Sequence, residues 1–204
     1  MAAGITNFHL LVSGFLQRRG QRHGLHDLFV PMHLAHAKGD TSVQLMAWND
    51  RWRDVADDIA NCAMPSDPAD VRVFVYAFSW GAGWGFVQLA KALRRHRISI
   101  ECAVLADPIY RSRWLSLSWM SLCTMSMFTP TITVPSNVCE VHWFAQNTCR
   151  PCGHDLVPED RKQTKIHRPR VLPHTPHTLM DDAHEFHQLS LRIAASAATE
   201  AQAA

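Results

Sequence analysis

The chain carries no excess of charge of either sign: 20 lysines and arginines face 18 aspartates and glutamates, a formal net charge of +2. With a pI of 8.3, that balance excludes the strongly basic face of a nucleic-acid binder, whose domain pI usually exceeds about 9. It also denies the chain the charge excess that keeps a polypeptide disordered. Long apolar runs are missing too. The run from Phe8 to Val12 is too brief for a bilayer span or a secretory leader, and no cationic segment precedes it. A compact cysteine framework is absent: the six cysteines, at 62, 102, 123, 139, 149 and 152, are scattered through apolar stretches. Reduced thiols, a cytoplasmic location and no stable membrane insertion are therefore expected. No internal repeat is visible, and the only biased stretch is the alanine-rich end, 194–204.

What remains is 204 residues, 47% hydrophobic, enough for one domain over 1–204. A chain of this size buries about 70% of its unfolded surface and needs neither disulfide nor metal to support a core. Short β-rich runs alternate with helix-compatible stretches, the pattern of a mainly parallel sheet covered on both faces. Strands are predicted from Phe8 toward Gly14, over Val43 to Trp48, Val71 to Phe78, Ile98 to Ala106 and Val138 to Phe144, with an edge strand near Ile166 to Leu172. Trp52, Val55, Ile59 and Cys62 form one apolar stripe of a helix. A second helix follows Ser79 and ends near Arg94 to Arg97, and a last one starts near Asp181 as N-cap and runs through Phe186, Leu189 and Ile193.

The segment Ala77-Phe78-Ser79-Trp80-Gly81 joins the strongest predicted strand to a helix. A serine on so sharp a turn adopts a strained backbone, and small residues two before and two after it avoid the neighbouring strands. The turn aims the hydroxyl out of the sheet and sets the Trp80 N–H at a helix N-terminus, where it can donate to an oxyanion. Gly81-Ala-Gly83 also begins a G-x-G-x-x-G, but Phe86 stands at the third glycine and two strands precede it, whereas the dinucleotide fingerprint follows the first strand.

On these residues, with Ser13-Gly14-Phe15 after the first strand, Asp107 after the strand that follows, and His177-Thr-Leu-Met-Asp181 before the last helix, the sequence resembles the α/β-hydrolase superfamily in its small lipase, esterase and thioesterase-like members. Ala77 departs from the glycine of G-x-S-x-G, and the superfamily's first two strands are absent. The resemblance implies a three-layer αβα sandwich, a reduced α/β-hydrolase fold with five to six strands, its core strands ordered 2-1-3-4-5. It implies a serine hydrolase cleaving a carboxylic ester or thioester with an apolar, lipid-like acyl group through an acyl-enzyme. Ser79 would be the nucleophile, His177 the base and Asp107 the acid. Asp155, following the next strand, is the alternative acid, and His174 the alternative base, with His154 behind it. The Phe15 and Trp80 amides would form the oxyanion hole, with Leu16 another donor. No metal or organic cofactor is implied.

Other features compete with or extend that reading. Cys149-x-x-Cys152 with His154 lacks the second ligand pair that a structural zinc needs. His33-x-x-His36 and His184-x-x-His187 have helical spacing and read as solvated faces. The stretch 109–130, rich in Trp, Leu and Met between serines, reads as a lid or acyl-pocket wall, or equally as a core helix or dimer contact. The cations of Gln17 to His23 suit an anionic substrate part or a solvated loop. Two other functions stay open: a catalytically silent hydrolase-like binding protein, and a flavodoxin-like nucleotide binder.

Overall fold

The computed structural model describes residues 6–15, 17, 21–36, 40–63, 67–110, 131–148 and 151–203. From 111 onward the stretch read as a lid lies outside the described residues, as do Leu16, Arg18, Arg19 and Cys149. The strands are β1 (Asn7–Val12), β2 (Thr41–Met46), β3 (Arg72–Phe78), β4 (Ser99–Ala106), β5 (Ile132–Val134), β6 (Val138–Ala145), β7 (Leu156–Pro158), β8 (Lys165–Ile166) and β9 (Arg170–Val171). The helices are α1 (Gly24–Ala35), α2 (Trp52–Ala63), α3 (Phe86–Leu93) and α4 (His184–Ala203).

A seven-stranded sheet runs β2-β1-β3-β4-β6-β8, with β9 also on β6, and every pairing in it is parallel. Its five long strands follow the order 2-1-3-4-5, and the predicted edge strand is two pieces of two residues each. On one face, Leu10, Val12, Val75, Ala77 and Leu105 pack with Trp52, Ala56 and Ile59 of α2 and with Phe86 and Leu89 of α3. On the other, Leu11, Tyr76, Phe78, Val104 and Phe144 pack with Leu25 and Leu28 of α1 and with Phe186 and Leu189 of α4. Because side chains alternate along a strand, burial on both faces explains why these runs read as continuous apolar stretches. The fold is α/β, a three-layer αβα sandwich. The paired strands β5 and β7 form a separate two-stranded sheet that the sequence reading did not anticipate, since three residues are too few to show a period.

One helix boundary differs. The last helix starts at His184, not Asp181. Asp181 instead turns inward, where its Oδ2 accepts the Leu25 N–H at 3.3 Å and the Gln17 side-chain amide at 2.5 Å. It therefore satisfies the first turn of α1, a long-range partner no local pattern could reveal. Gly24 sits so close to this segment that a Cβ there would lie 2.3 Å from the Asp181 backbone. His36 likewise leaves the solvated-face reading, since its ring stacks on buried His9 at 5.1 Å.

His9 is wedged between Phe74 and His36 and bonds the Tyr76 hydroxyl at 3.0 Å. Burial, with the His36 and Arg72 charges, lowers its pKa from 6.5 to about 3. The unfolded chain then binds the extra proton between those values, so the contribution of His9 to stability is full above pH 6.5 and is lost as the pH drops toward 3, by at most about 1.4 kcal/mol per unit. Urea midpoints at several pH values should show this slope in the wild type and a flatter one in His9→Phe; an equal slope in both would assign the loss to other groups.

Candidate active site

Three sheet-edge turns converge at the C-terminal ends of the strands. Ser79 follows β3 with φ 54°, and Asp107 follows β4 with φ 44°. Left-handed backbone at residues other than glycine costs about 1–3 kcal/mol and persists only where the surroundings impose it. Those surroundings are visible: the Ile109 N–H donates to the Ser79 carbonyl at 2.9 Å, and the Asp107 N–H donates to the Phe144 carbonyl at 2.8 Å. The third turn is a short 3-10 helix, His177–Leu179, ahead of α4.

Glycines let the chain close around the serine. The helix after Ser79 begins as a π-helical turn, Gly81–Gly85. A Cβ on Gly81 would lie 2.4 Å from the Val12 carbonyl oxygen, and one on Gly83 would lie 2.0 Å from that of Ile109. Both obstacles are backbone, which cannot rotate aside. Gly83→Ala is expected to destabilise the protein by about 3 kcal/mol or more, the upper range for overpacking. A urea midpoint within error of the wild type would refute that packing argument.

The side chains from these turns meet. His177 Nδ1 lies 2.6 Å from Asp107 Oδ2, and His177 Nε2 lies 2.9 Å from Ser79 Oγ. A carboxylate can only accept, so Nδ1 carries the proton and Nε2 accepts the Ser79 hydroxyl. All three residues are buried, Asp107 completely. The Phe78 ring, 5.0 Å from the imidazole, packs against its side. Asp107 is held on both oxygens: Oδ1 accepts the Gly153 N–H at 2.9 Å, and Oδ2 also accepts the Gln146 amide at 3.2 Å. Gly153 has no room for a side chain there, since its Cβ would meet Asp107 Oδ1 at 2.5 Å.

The alternatives lie elsewhere. Asp155 and His174 are exposed, and the Asp155 carbonyl accepts the Ile132 N–H that leads into β5. His154 Nδ1 accepts the Tyr110 N–H at 3.0 Å and its own N–H donates to the Pro108 carbonyl. His154 thus braces the turn after Asp107, and burial lowers its pKa. Cys152 is exposed.

The turn after β1 lies against the serine. A Cβ on Gly14 would come 3.2 Å from Ser79 Cβ. The Gly14 N–H donates to Gln17 Oε1 at 2.8 Å, and Gln17 in turn donates to buried Asp181. Phe15, Trp48 and Trp80 form an aromatic cluster, with centroids 4.2 Å apart for Phe15 and Trp80 and 4.8 Å for Trp48 and Trp80. The sequence reading missed Trp48, Gln17, Gln146 and Gly153. Trp48 carried a weak signal, since it follows the strand beside β1. Gln146 carried none, because its importance depends on a contact with Asp107 across the sheet edge.

No protein-family model matches the chain, and no curated protein matches it in sequence. Among solved structures, it is similar to YbtT, a type II thioesterase from a yersiniabactin NRPS/PKS biosynthetic pathway, at 14% identity and a TM-score of 0.46, over 94% of each chain.

Proposed function

We propose that this protein is a serine hydrolase that cleaves a small carboxylic ester or thioester with an apolar acyl group, through a covalent acyl-enzyme. The observation that carries this reading is the hydrogen-bonded line from Ser79 Oγ through the His177 ring to Asp107, at 2.9 and 2.6 Å, with Ser79 at φ 54°. A serine hydroxyl is a weak nucleophile at neutral pH, and an imidazole aligned to take its proton supplies what it lacks.

In this mechanism Ser79 Oγ attacks the carbonyl carbon as its proton passes to His177 Nε2. The imidazolium so formed is stabilised by the Asp107 carboxylate, whose orientation the Gly153 N–H and Gln146 amide maintain. The Trp80 and Phe15 amides receive the negative charge that develops on the carbonyl oxygen. His177 returns the proton to the leaving alcohol or thiol, and water attacks the acyl-serine by the same route. The acyl group lies against the Phe15, Trp48 and Trp80 rings.

A fluorophosphonate probe tests the reading directly, because its capture requires an activated serine and not merely an exposed one. Wild-type protein should be labelled on Ser79, His177→Ala only weakly, and Ser79→Ala not at all. Unlabelled wild type would instead favour a catalytically silent binding protein. Trp48→Ala should raise KM for long-chain esters while leaving kcat for acetyl esters near the wild-type value; an unchanged chain-length profile would remove the aromatic cluster from the acyl site.

A further inference from the structure

A second set of chemically capable side chains lies lower in the sheet, on the face that packs against α1 and α4. Glu140 and His142 are alternate residues of β6 and so project to the same side. Cys102 is the residue of β4 paired with Glu140. On the far side of β6, Lys165 of β8 pairs with Glu140, and the His167 N–H donates to the Val141 carbonyl at 2.9 Å. Strands β4 and β6, with His167 just past the end of β8, thus bring a thiol, a carboxylate and two imidazoles close together.

The distances are close to those of a coordination sphere. A ligand atom of Cys102, one of Glu140 and one of His142 all lie within 4.8 Å of one another. Glu140 Oε1 is 3.8 Å from His142 Nε2 and 2.5 Å from His167 Nε2. The two imidazoles stack with centroids 4.0 Å apart, 15° from parallel, so one ring has to turn out of the stack before both can aim an in-plane lone pair at one ion. Metal–ligand bonds of about 2.0–2.3 Å in a tetrahedral zinc site place ligand atoms roughly 3.3–3.8 Å apart. Shifts of about 1 Å at Cys102, Glu140 and His142, with rotation of the His167 ring out of its stack, would reach that geometry.

We propose that Cys102, Glu140, His142 and His167 bind a zinc-class divalent transition-metal ion. One sulfur, two imidazole nitrogens and one carboxylate oxygen form a donor set suited to such an ion and not to calcium or magnesium, which take oxygen ligands. On binding, four coordination bonds form, the Cys102 thiol and any protonated imidazole release their protons to solvent, and the Lys165 ammonium leaves Glu140 Oε1, from which it now stands 3.0 Å. Lys165 leaves easily, because its side chain is 69% exposed. The ion would clamp the two-residue strand β8 to β6 and β4, and so anchor the chain that leads on to His177. This site does not depend on the hydrolase reading.

The test uses full-length, chelator-treated protein titrated with zinc against a colorimetric chelator, and with cobalt(II) as a spectroscopic substitute. Wild type should bind zinc and give a thiolate-to-cobalt charge-transfer band that Cys102→Ala removes. His142→Ala and His167→Gln should each weaken zinc binding at least about tenfold, since losing even an outer-sphere partner costs 10–100-fold. Lys165→Met should bind as tightly as wild type or more so. His167 is a third exposed, so His167→Gln decides the matter even if His142→Ala fails to fold. Zinc affinity unchanged in His167→Gln, or no thiolate band in wild type, would overturn the site and leave an ion-paired cluster around Glu140.

Discussion

Ser79→Ala, His177→Ala and the double variant are expected to fall to one common residual rate, about 10⁶-fold below wild type in kcat, because residues acting as a unit are not additive. The geometry explains why. Ser79 Oγ and His177 Nε2 share a single hydrogen bond of 2.9 Å, so removing either partner removes the same proton transfer. Under the proposed mechanism, the residual rate is what the oxyanion donors and the aromatic cluster would still contribute. Initial rates on nitrophenyl acyl esters, with active-site titration to exclude trace wild type, measure it. Ser79→Ala retaining more than about a hundredth of the activity would leave no place for an acyl-serine.

Asp107→Asn is expected to lower kcat about 10⁴-fold with little change in KM, while Asp155→Asn leaves both unchanged. Asp107 Oδ2 accepts from His177 Nδ1 and from Gln146, and Oδ1 accepts from the Gly153 N–H. An asparagine can keep the Gly153 bond with its carbonyl oxygen only by turning its NH₂ toward His177. The imidazole must then hold its proton on Nε2, facing Ser79, in the tautomer that cannot act as base. Asp107 is fully buried behind His177, so under the proposed mechanism it does not touch substrate and KM should hold. Gln146→Ala, which loosens the carboxylate without reversing the tautomer, should reduce kcat by a smaller factor. An Asp155→Asn variant as impaired as Asp107→Asn would reassign the acid.

The residues around Ser79 were legible because the constraint on them is local. A sharp turn between a buried strand and a helix demands small neighbours at Ala77 and Gly81, and those can be read from five consecutive letters. The apolar runs of β1, β3 and β4 were legible because both faces of a parallel sheet are covered. The three-residue strands β5 and β7 were not, since they draw their stability from neighbours distant in the chain, and β8 and β9 were legible only as one edge strand near Ile166 to Leu172. The same limit separated Asp107 from Asp155. Both follow apolar strands and both are acidic, and only the pairing of β3 with β4 sets one of them beside the serine.

The sequence by itself determined the α/β alternation and the serine turn, because periodicity and turn sterics act between residues close in the chain. The tertiary structure alone decided which imidazole meets Ser79 and which carboxylate meets that imidazole, that Asp181 serves α1 and not its own helix, and that Gln146 and Gly153 hold Asp107. It also brought Cys102 of β4, Glu140 and His142 of β6, and His167 just past β8 close together. Each of these is a contact across the sheet or between layers, set by strand register and packing, and neither is written in the spacing of letters along the chain.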